Sequence, residues 1–228
     1  VGTITKADGT TVGINLNRYA FDSNGIPTEK NEEVIDTYYS ETASKGNTVA
    51  KSISNFKSSV TTNGGYYIGR YEARTETKRN ASGDALTQIT EKGIDQVYNY
   101  VTQLQAASQA QNMYNNSNFT SDLMNSYAWD TATLFLQNCG TNIKYSIQSR
   151  GDNKTFSATG TTNDKQCNVY DMAGNLFEWT TETSSDTDHP CVRRGGFYVD
   201  DSGFTSHRNH NSVLLSNGYI GFRLLLYL

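Results

Sequence analysis

Three stretches near the C-terminus decide the fold: CNVYDMAGNLFEWTTE at 167–182, CVRRGGFY at 191–198 and YIGFRLLLYL at 219–228. In the first stretch, Phe177 and Trp179 alternate with Glu178 as the side chains of a strand do, and Gly174 permits a tight turn before them. The last stretch is strongly apolar, which predicts a buried strand at the end of the chain. We expect this strand to pair with the one predicted at 65–73.

Three segments upstream have apolar residues at intervals of three and four, which is the spacing of amphipathic helices. The predicted helices run from Asn47 or Thr48 to Val60, from Thr90 to about Tyr114, and from Thr120 or Ser121 to Asn138. The alternating sequence GYYIGRYEA at 65–73 predicts a strand between the first two. Beyond Gly140 no helical period remains, so the C-terminal half is predicted to consist of strands and long loops.

The composition argues against two classes of partner, nucleic acids and lipid bilayers. The chain has 228 residues, 18% of them charged, a net charge of -4 and no basic run. We expect no nucleic acid partner, because binding to phosphates depends on clustered Lys and Arg. No apolar stretch is long enough to span a bilayer and the N-terminal residues lack a signal-peptide pattern, so we expect no membrane insertion by this chain.

The cysteines define no metal or redox motif. Cys139, Cys167 and Cys191 are too far apart in sequence for a zinc knuckle or a thioredoxin-type motif. Their odd number leaves at least one free thiol. Two interpretations stay open: small buried hydrophobic residues, or one disulfide and one free thiol.

Six separated motifs point to a family. They are YYIGRYEA at 66–73, AWDTA at 128–132, NVYDMAGNLFEWT at 168–180, RRGGFY at 193–198, HRN at 207–209 and IGFR at 220–223. In this order they resemble the formylglycine-generating enzyme, or sulfatase-modifying-factor, superfamily. The resemblance implies an α+β fold of C-type-lectin type, with two main helices packed on short antiparallel sheets and a loop-rich C-terminal half. It assigns 63–228 to this domain and 1–62 to an N-terminal extension with a short amphipathic helix.

The chemistry of the family does not follow from its fold. In formylglycine-generating enzymes, two cysteines between the RGG and GFR motifs bind copper, whereas 196–223 contains no cysteine. The related iron-dependent sulfoxide synthases need a cluster of histidines. The three histidines here, His189, His207 and His210, offer at most one His-x-x-His pair. We therefore expect neither copper nor iron and no enzymatic activity.

The resemblance also implies a calcium site in the turn before Trp179. The family holds calcium there through side-chain and backbone oxygens, the ligands that this hard cation prefers. The matching positions are Asp171, Gly174, Leu176 and Glu178. The alternative is that Asp171 and Glu178 accept hydrogen bonds from backbone amides.

The segment 196–220 shows no periodicity and has a restricted composition. From Arg194 to Leu228 there is no Lys, Glu, Gln, Met or Trp, although these types make up roughly a sixth of the preceding chain. Some members of the superfamily are variable proteins of diversity-generating retroelements, in which adenine-directed mutagenesis rewrites Asn codons near the GFR motif. Mutating both adenines of such a codon reaches fifteen residue types, and those five are not among them. The alternative is an ordinary loop that happens to lack these residue types.

A rigid framework with a variable segment would display a selectable binding face, as antibody loops do on their sandwich. We assign Arg208 to the framework and expect Arg223 to be an ion-pair partner at the edge of the core. The residues predicted to form the face are Phe197, Tyr198, Asp200, Asp201, Phe204, His207, Asn209, His210, Asn211 and Tyr219.

The sequence thus predicts a non-enzymatic ligand-binding protein, the variable protein of a diversity-generating retroelement, which binds a protein or glycan on another cell. Its expected location is extracellular, on a bacterial cell surface as an adhesin or on a phage virion as a receptor-binding tip. Two alternatives stay open. One is a metal-dependent oxidoreductase of the formylglycine-generating family with a rearranged site, and the other is a structural domain of a virion or surface fibre.

Overall fold

The structure is a computed structural model that describes residues 1–6, 8–30, 37–39, 50–90, 96–114, 118–149, 155–199 and 203–228, with 37–39 described by their backbone alone. These residues form the predicted α+β fold, with three α-helices and sixteen short strands. No helix among them is long and apolar enough to cross a membrane.

The helices are α1 (Ile53–Asn63), α2 (Gln103–Asn112) and α3 (Ser126–Cys139). The strands are β1 (Gly2–Thr5), β2 (Thr11–Ile14), β3 (Arg18–Phe21), β4 (Pro27–Lys30), β5 (Thr37–Tyr39), β6 (Tyr67–Ile68), β7 (Arg74–Thr75), β8 (Gln96–Val97), β9 (Thr120–Leu123), β10 (Lys165–Gln166), β11 (Val169–Tyr170), β12 (Phe177–Ser184), β13 (Cys191–Arg194), β14 (Arg208–Asn211), β15 (Ile220–Phe222) and β16 (Leu224–Tyr227).

The central sheet has the strand order β14-β13-β12-β15, and β5 pairs with the second half of β12. All of its pairings are antiparallel as predicted except that of β12 with β15, which is parallel and places Phe177 opposite Ile220. The connection after β14 crosses to the far edge of β12, so β15 enters the sheet in the same direction as β12.

The apolar end of the chain forms the middle of a second sheet with the order β6-β16-β9. Leu225 lies opposite Ile68 on one side and Asp122 on the other, and its side chain is buried. This confirms the predicted buried strand and its pairing. The strand predicted at 65–73 is shorter than expected, because only β6 pairs with β16 and the chain then turns to pair β7 with β8.

The first helix, α1, begins directly after Ser52 rather than at Asn47 or Thr48. Ser52 has an extended backbone, and its hydroxyl oxygen accepts a hydrogen bond from the amide of Asn55. This satisfies one of the amides that a helix leaves unpaired at its first turn. Asn47 and Thr48 lie outside the described residues.

The other two helices also begin later than predicted. α2 starts after Thr102, which forms a capping box with Gln105, and β8 lies ahead of it. The residues predicted as the first turn of α3 form β9 instead, and α3 starts after Asn125, whose side chain accepts from the amide of Ala128. Pairing with β16 satisfies the backbone of β9 at long range, which apolar spacing cannot reveal.

The residues before α1 pack against α3 through the hairpins β1-β2 and β3-β4. The amide of Asn17 donates to Thr131 at 3.2 Å, and the amide of Tyr19 donates to Asp130 at 3.0 Å. Arg18, between them, turns into the protein interior. The predicted domain boundary between residues 62 and 63 stays a prediction.

Two apolar clusters lie on either side of the central sheet. One surrounds Trp179 and includes the alanines of α2, and the other surrounds Trp129 of α3 and includes α1 and β16. Both tryptophans are buried. The central sheet is therefore held between α2 and α3, and this fixes the positions of the side chains on both of its faces.

Candidate binding surface on the central sheet

The register of the central sheet divides its residues between two faces. Glu178, Arg194 and Arg208 lie opposite one another across β12, β13 and β14, and the adjacent row is formed by Trp179, Arg193 and Asn209. Successive side chains of a strand point to opposite sides of its sheet. We call the side of the first row, toward α3, the inner face, and the side of the second row the outer face.

The inner face carries a buried ion-pair network of Arg18, Asp130, Glu182, Arg194 and Arg208. Asp130 accepts a hydrogen bond from both Arg194 and Arg208. Glu182 accepts from Arg18 and from Arg208, each at 3.0 Å, and from Arg194 at 3.4 Å. Because Asp130 lies on α3 and Arg18 on β3, the network joins the central sheet to two elements distant in sequence.

Electrostatics hold the network charged. Burial disfavours a charged guanidinium, but the attraction of Asp130 and Glu182 outweighs this effect and raises the pKa of Arg208. In Arg194, burial and the neighbouring charge of Arg208 lower the pKa. An arginine nevertheless stays protonated in a protein. These contacts bond Arg208 into the interior, as expected of a framework residue, and its constancy stays a prediction.

Arg223 forms a second buried ion pair, as the sequence predicted. It donates to Glu178 through Nη2 at 2.7 Å and through Nε at 3.1 Å, in a bidentate arrangement. It also donates to the carbonyls of Gly69 and Tyr170. Because these groups come from separate segments of the chain, the guanidinium of Arg223 in the IGFR motif links those segments through charge-assisted hydrogen bonds.

The turn before β12 was predicted to hold calcium, but its carboxylates bond protein groups. Asp171 accepts from the amide of Gly160 and from the hydroxyl of Thr162, and both oxygens of Glu178 accept from Arg223. Among the described residues, no group of three or more His, Cys, Asp or Glu side chains could hold a metal ion.

The backbone oxygens proposed for calcium belong to the same closely bonded turn. The amide of Leu176 donates to Glu72 at 3.0 Å, and Asp171 and Asn175 both have positive φ angles, 67° and 72°. Gly174, also named in the predicted site, lies buried between them. In this arrangement both carboxylates of the predicted site are bonded to protein groups, and calcium binding stays an untested prediction.

The outer face carries an aromatic cluster with Phe197 at its centre. The ring of Phe197 lies 5.0 Å from the rings of Phe177 and Tyr219 and 5.4 Å from that of Tyr198. The guanidinium carbon of Arg193 lies 4.0 Å from the ring centre of Phe177. Phe177 is buried whereas Phe197, Tyr198 and Tyr219 are half-buried. The cluster is therefore anchored in the core and reaches the surface.

The polar candidates on β14 divide between the two sides of the strand. Asn209 and Asn211 share the outer side, where the amide of Asn211 donates to Asn209 at 3.4 Å. His210 alternates with them and is exposed at the edge of the sheet, with its Nδ1 3.7 Å from Asp186. Asp186 also contacts His189, at 3.2 Å.

The remaining candidates lie apart from the aromatic cluster or outside the described residues. The rings of Phe204 and His207 pack against each other at 5.3 Å in the loop before β14. Asp200 and Asp201 lie outside the described residues. The structure thus brings Phe197, Tyr198 and Tyr219 together on the outer face, while Phe204 and His207 form a separate pair.

Sequence reasoning missed two residues of this surface and one exposed residue of the segment 196–220. Phe177 served only to predict a strand and Arg193 only as part of a family motif, yet both form the floor of the aromatic cluster. The alternation of side chains along a strand could have identified both residues. Phe177 lies two residues before the outer-face residue Trp179 in β12, and Arg193 lies opposite the outer-face residue Asn209 of β14. Leu214, which is 79% exposed, lies in the segment 196–220 and was not named.

The cysteine nearest in sequence to this surface is buried beneath it. Cys191 is the cysteine closest in sequence to the segment, and it is buried on β13 in the cluster around Trp179. Burial raises its pKa to about 12, so its thiol is protonated at neutral pH. This cysteine acts as a small hydrophobic residue, as one of the two interpretations predicted.

Comparison with known proteins gives both a family and a fold. The family described as "Sulfatase-modifying factor enzyme 1-like domain" matches residues 99–227. No curated protein sequence matches significantly. Among solved structures, PvdO from Pseudomonas aeruginosa is 14% identical with a TM-score of 0.53, over 72% of this chain and 80% of its own. At that identity the match shows a shared fold.

Two further structures match a smaller part of the chain. Treponema denticola variable protein 1 has a TM-score of 0.37 and 20% identity over 48% of each chain. CarF has a TM-score of 0.36 and 16% identity, again over 48% of each chain.

Proposed function

The chain belongs to the sulfatase-modifying factor enzyme 1-like family, which includes both enzymes and members without catalytic activity, and we propose that this chain is a binding protein of the second kind. One observation carries the proposal: adjacent residues of the same strand lie on opposite faces of the central sheet and have different surroundings. Arg194 and Arg208 are bonded into the interior, whereas their neighbours Arg193 and Asn209 lie on the outer face. This arrangement allows the half-buried outer side chains of β13 and β14 to change without loss of the fold, while Phe177 and Trp179 of β12 stay in the core.

The composition of the segment supports diversification as the source of such changes. Phe, Tyr, Asp, His and Asn, the residue types of the predicted face, can all be reached from Asn codons by mutation at adenines, and the five unreachable types do not occur between Arg194 and Leu228. We propose that the chain is the variable protein of a diversity-generating retroelement. The inner-face arginines, Arg194 and Arg208, would then be the constant residues that carry the variable ones.

The aromatic cluster supports binding to a protein or glycan on another cell. Tyr198 and Tyr219 present apolar rings with a polar tip, and such residues contribute much of the affinity at protein interfaces at low entropic cost. Asn209 and Asn211 add hydrogen-bonding groups beside them. We propose an extracellular location, on a phage virion or a bacterial surface, since only there would the face meet its partner.

Titration on cells tests the proposal. The labelled chain, applied to a panel of bacterial species, is expected to show saturable binding to a subset. The triple change Phe197→Ala, Tyr198→Ala and Tyr219→Ala should weaken it at least about tenfold, because each anchor of this kind contributes about 1 kcal/mol or more. Tyr67→Ala is the matched control, because Tyr67 is an exposed tyrosine on the other sheet.

Two results would contradict the proposal. One is an absence of saturable binding to every species in a broad panel, or binding that the triple change leaves intact while Tyr67→Ala weakens it. The other is oxygen consumption with a thiol peptide and stoichiometric copper or iron, which would establish the oxidoreductase alternative.

A further inference from the structure

Two of the three cysteines meet on a part of the surface that the proposed function does not use. Cys139 is the last residue of α3, and Cys167 lies in the turn between β10 and β11. Both are exposed, and Gly140 and Gln166, their neighbours in the chain, pack directly against each other, which places the two thiols close enough for each to influence the pKa of the other. They are separated by more than twenty residues of chain, so the fold alone brings them together.

The surrounding contacts hold the two segments against each other independently of the thiols. The side-chain oxygen of Gln166 accepts from the amide of Thr141 at 3.2 Å, and its Nε2 donates to the carbonyl of Asn142 at 3.1 Å. A Cβ atom on Gly140 would lie 2.6 Å from the Gln166 side chain, so the segments are closely packed. The contacts of the residues adjacent to each cysteine therefore hold the two cysteines close together.

We propose that Cys139 and Cys167 form a disulfide by exchange with a small-molecule disulfide such as oxidised glutathione. One protein thiolate attacks a glutathione sulfur, forms a mixed disulfide and releases one reduced glutathione. The second thiolate then attacks the protein sulfur, forms the Cys139–Cys167 bond and releases another. Two electrons pass from the protein dithiol to glutathione, and the two thiol protons end on the two glutathione molecules released.

The exchange is expected to be slow at neutral pH. Partial burial raises the pKa of both thiols, and the proximity of Cys139 raises that of Cys167 further. Because the thiolate is the attacking species, the rate should increase with pH up to the alkaline range. The pair is therefore suited to a lasting cross-link rather than to rapid redox cycling.

The cross-link would stabilise the base of the turn that supports β12. β11 runs directly into Asp171, and the amide of Asp171 donates to the carbonyl of Asp164 at 3.0 Å, which closes this hairpin. By the chain-entropy relation, closing a loop of this size lowers the unfolding equilibrium constant by roughly a few hundred-fold. In a protein of this length, that corresponds to a rise in Tm of about 7 °C or more.

Thiol counting tests the proposal on the intact chain. The reduced protein is equilibrated in an oxidised/reduced glutathione buffer, denatured in N-ethylmaleimide and weighed by mass spectrometry. We expect one maleimide adduct, on Cys191, and a protein lighter by two hydrogen atoms. Digestion must combine trypsin with a glutamyl endopeptidase, because Cys167 and Cys191 lie on one tryptic peptide, 166–193.

Matched variants separate the cross-link from a general redox effect. Reductant should lower the Tm of the oxidised parent and leave that of Cys139→Ser and of Cys167→Ser unchanged, since each lacks one partner. Three maleimide adducts, glutathione attached to both cysteines without a cross-link, or a cross-link to Cys191 would overturn the proposal. An equal effect of reductant on the parent and on Cys139→Ser would do so as well.

Discussion

Replacing Arg194 by Ala should destabilise the fold far more than replacing Arg193, its neighbour in β13. Arg194 is buried, pairs with Asp130 and Glu182, and donates to the carbonyl of His207 at 3.0 Å. Removing one partner of a buried ion pair leaves a charge without compensation and costs about 3–5 kcal/mol. We expect Arg194→Ala to reduce the free energy of unfolding by at least the lower value.

The matched control, Arg193→Ala, removes the same side chain from the outer face. Its guanidinium lies over the ring of Phe177, and cation–π contacts at partly exposed sites contribute about 0.5–1 kcal/mol. We expect a loss of about 1 kcal/mol. Both variants replace Arg by Ala in β13, so the intrinsic strand propensity changes equally. The difference between their losses of unfolding free energy therefore reports which face of the sheet each arginine occupies.

Equilibrium unfolding in urea measures both losses. Circular dichroism should be recorded together with tryptophan fluorescence, because Arg194 lies 5.6 Å from the ring of Trp129 and its removal changes that signal directly. Equal losses for the two variants, or a larger loss for Arg193→Ala, would refute the assignment of the inner and outer faces.

Three further predictions follow from single sites. Burial and the charge of Asp171 raise the pKa of Glu72 well above 4.5. As pH rises above about 4.5, Glu72 therefore loses its proton in the unfolded state before it does so in the folded state, and the free energy of unfolding falls. The excess stability of Glu72→Gln over the parent, measured by urea unfolding at several pH values, should therefore increase with pH above this value, and a difference independent of pH would contradict it. Gly195→Ala should lower the free energy of unfolding by about 2 kcal/mol, because Gly195 has a φ of 76° and a Cβ would lie 2.8 Å from the carbonyl of Met172. The control Gly13→Ala should be nearly neutral in the same assay, because Gly13 has an ordinary φ and open space around it. His210→Ser, at the exposed edge of β14, should shift the unfolding free energy by no more than about 0.5 kcal/mol, and a loss above 2 kcal/mol would show that this position belongs to the framework.

Local patterns in the sequence predicted the parts of the fold whose causes are local. The apolar run at the C-terminus predicted β16 and its pairing with β6, because a long apolar run with turn residues before it must be buried. The starts of α2 and α3 were wrong, because the pairing of β8 with β7 and of β9 with β16 is long-range. Spacing alone does not distinguish a short strand before a helix from the first turn of that helix.

The candidate surface shows the same limit. Residue composition identified the segment 196–220, and family motifs predicted Arg208 as a framework residue and Arg223 as an ion-pair partner. Neither could show that Arg18, far away in sequence, completes the network around Glu182, or that Phe177 and Arg193 support the aromatic cluster. These contacts depend on which residues face each other across strands, and that register is set by the whole fold.

Sequencing the gene from many isolates of one lineage would show directly whether the outer face is diversified. We expect substitutions in codons of the outer face, Phe197, Tyr198 and Tyr219 among them, at positions that are adenines in a near-copy of the segment, and no change at Arg194, Arg208 or Arg223. A near-copy of this segment beside a reverse transcriptase gene should accompany them. An invariant segment with no such copy, or substitutions spread equally over inner and outer positions, would contradict it.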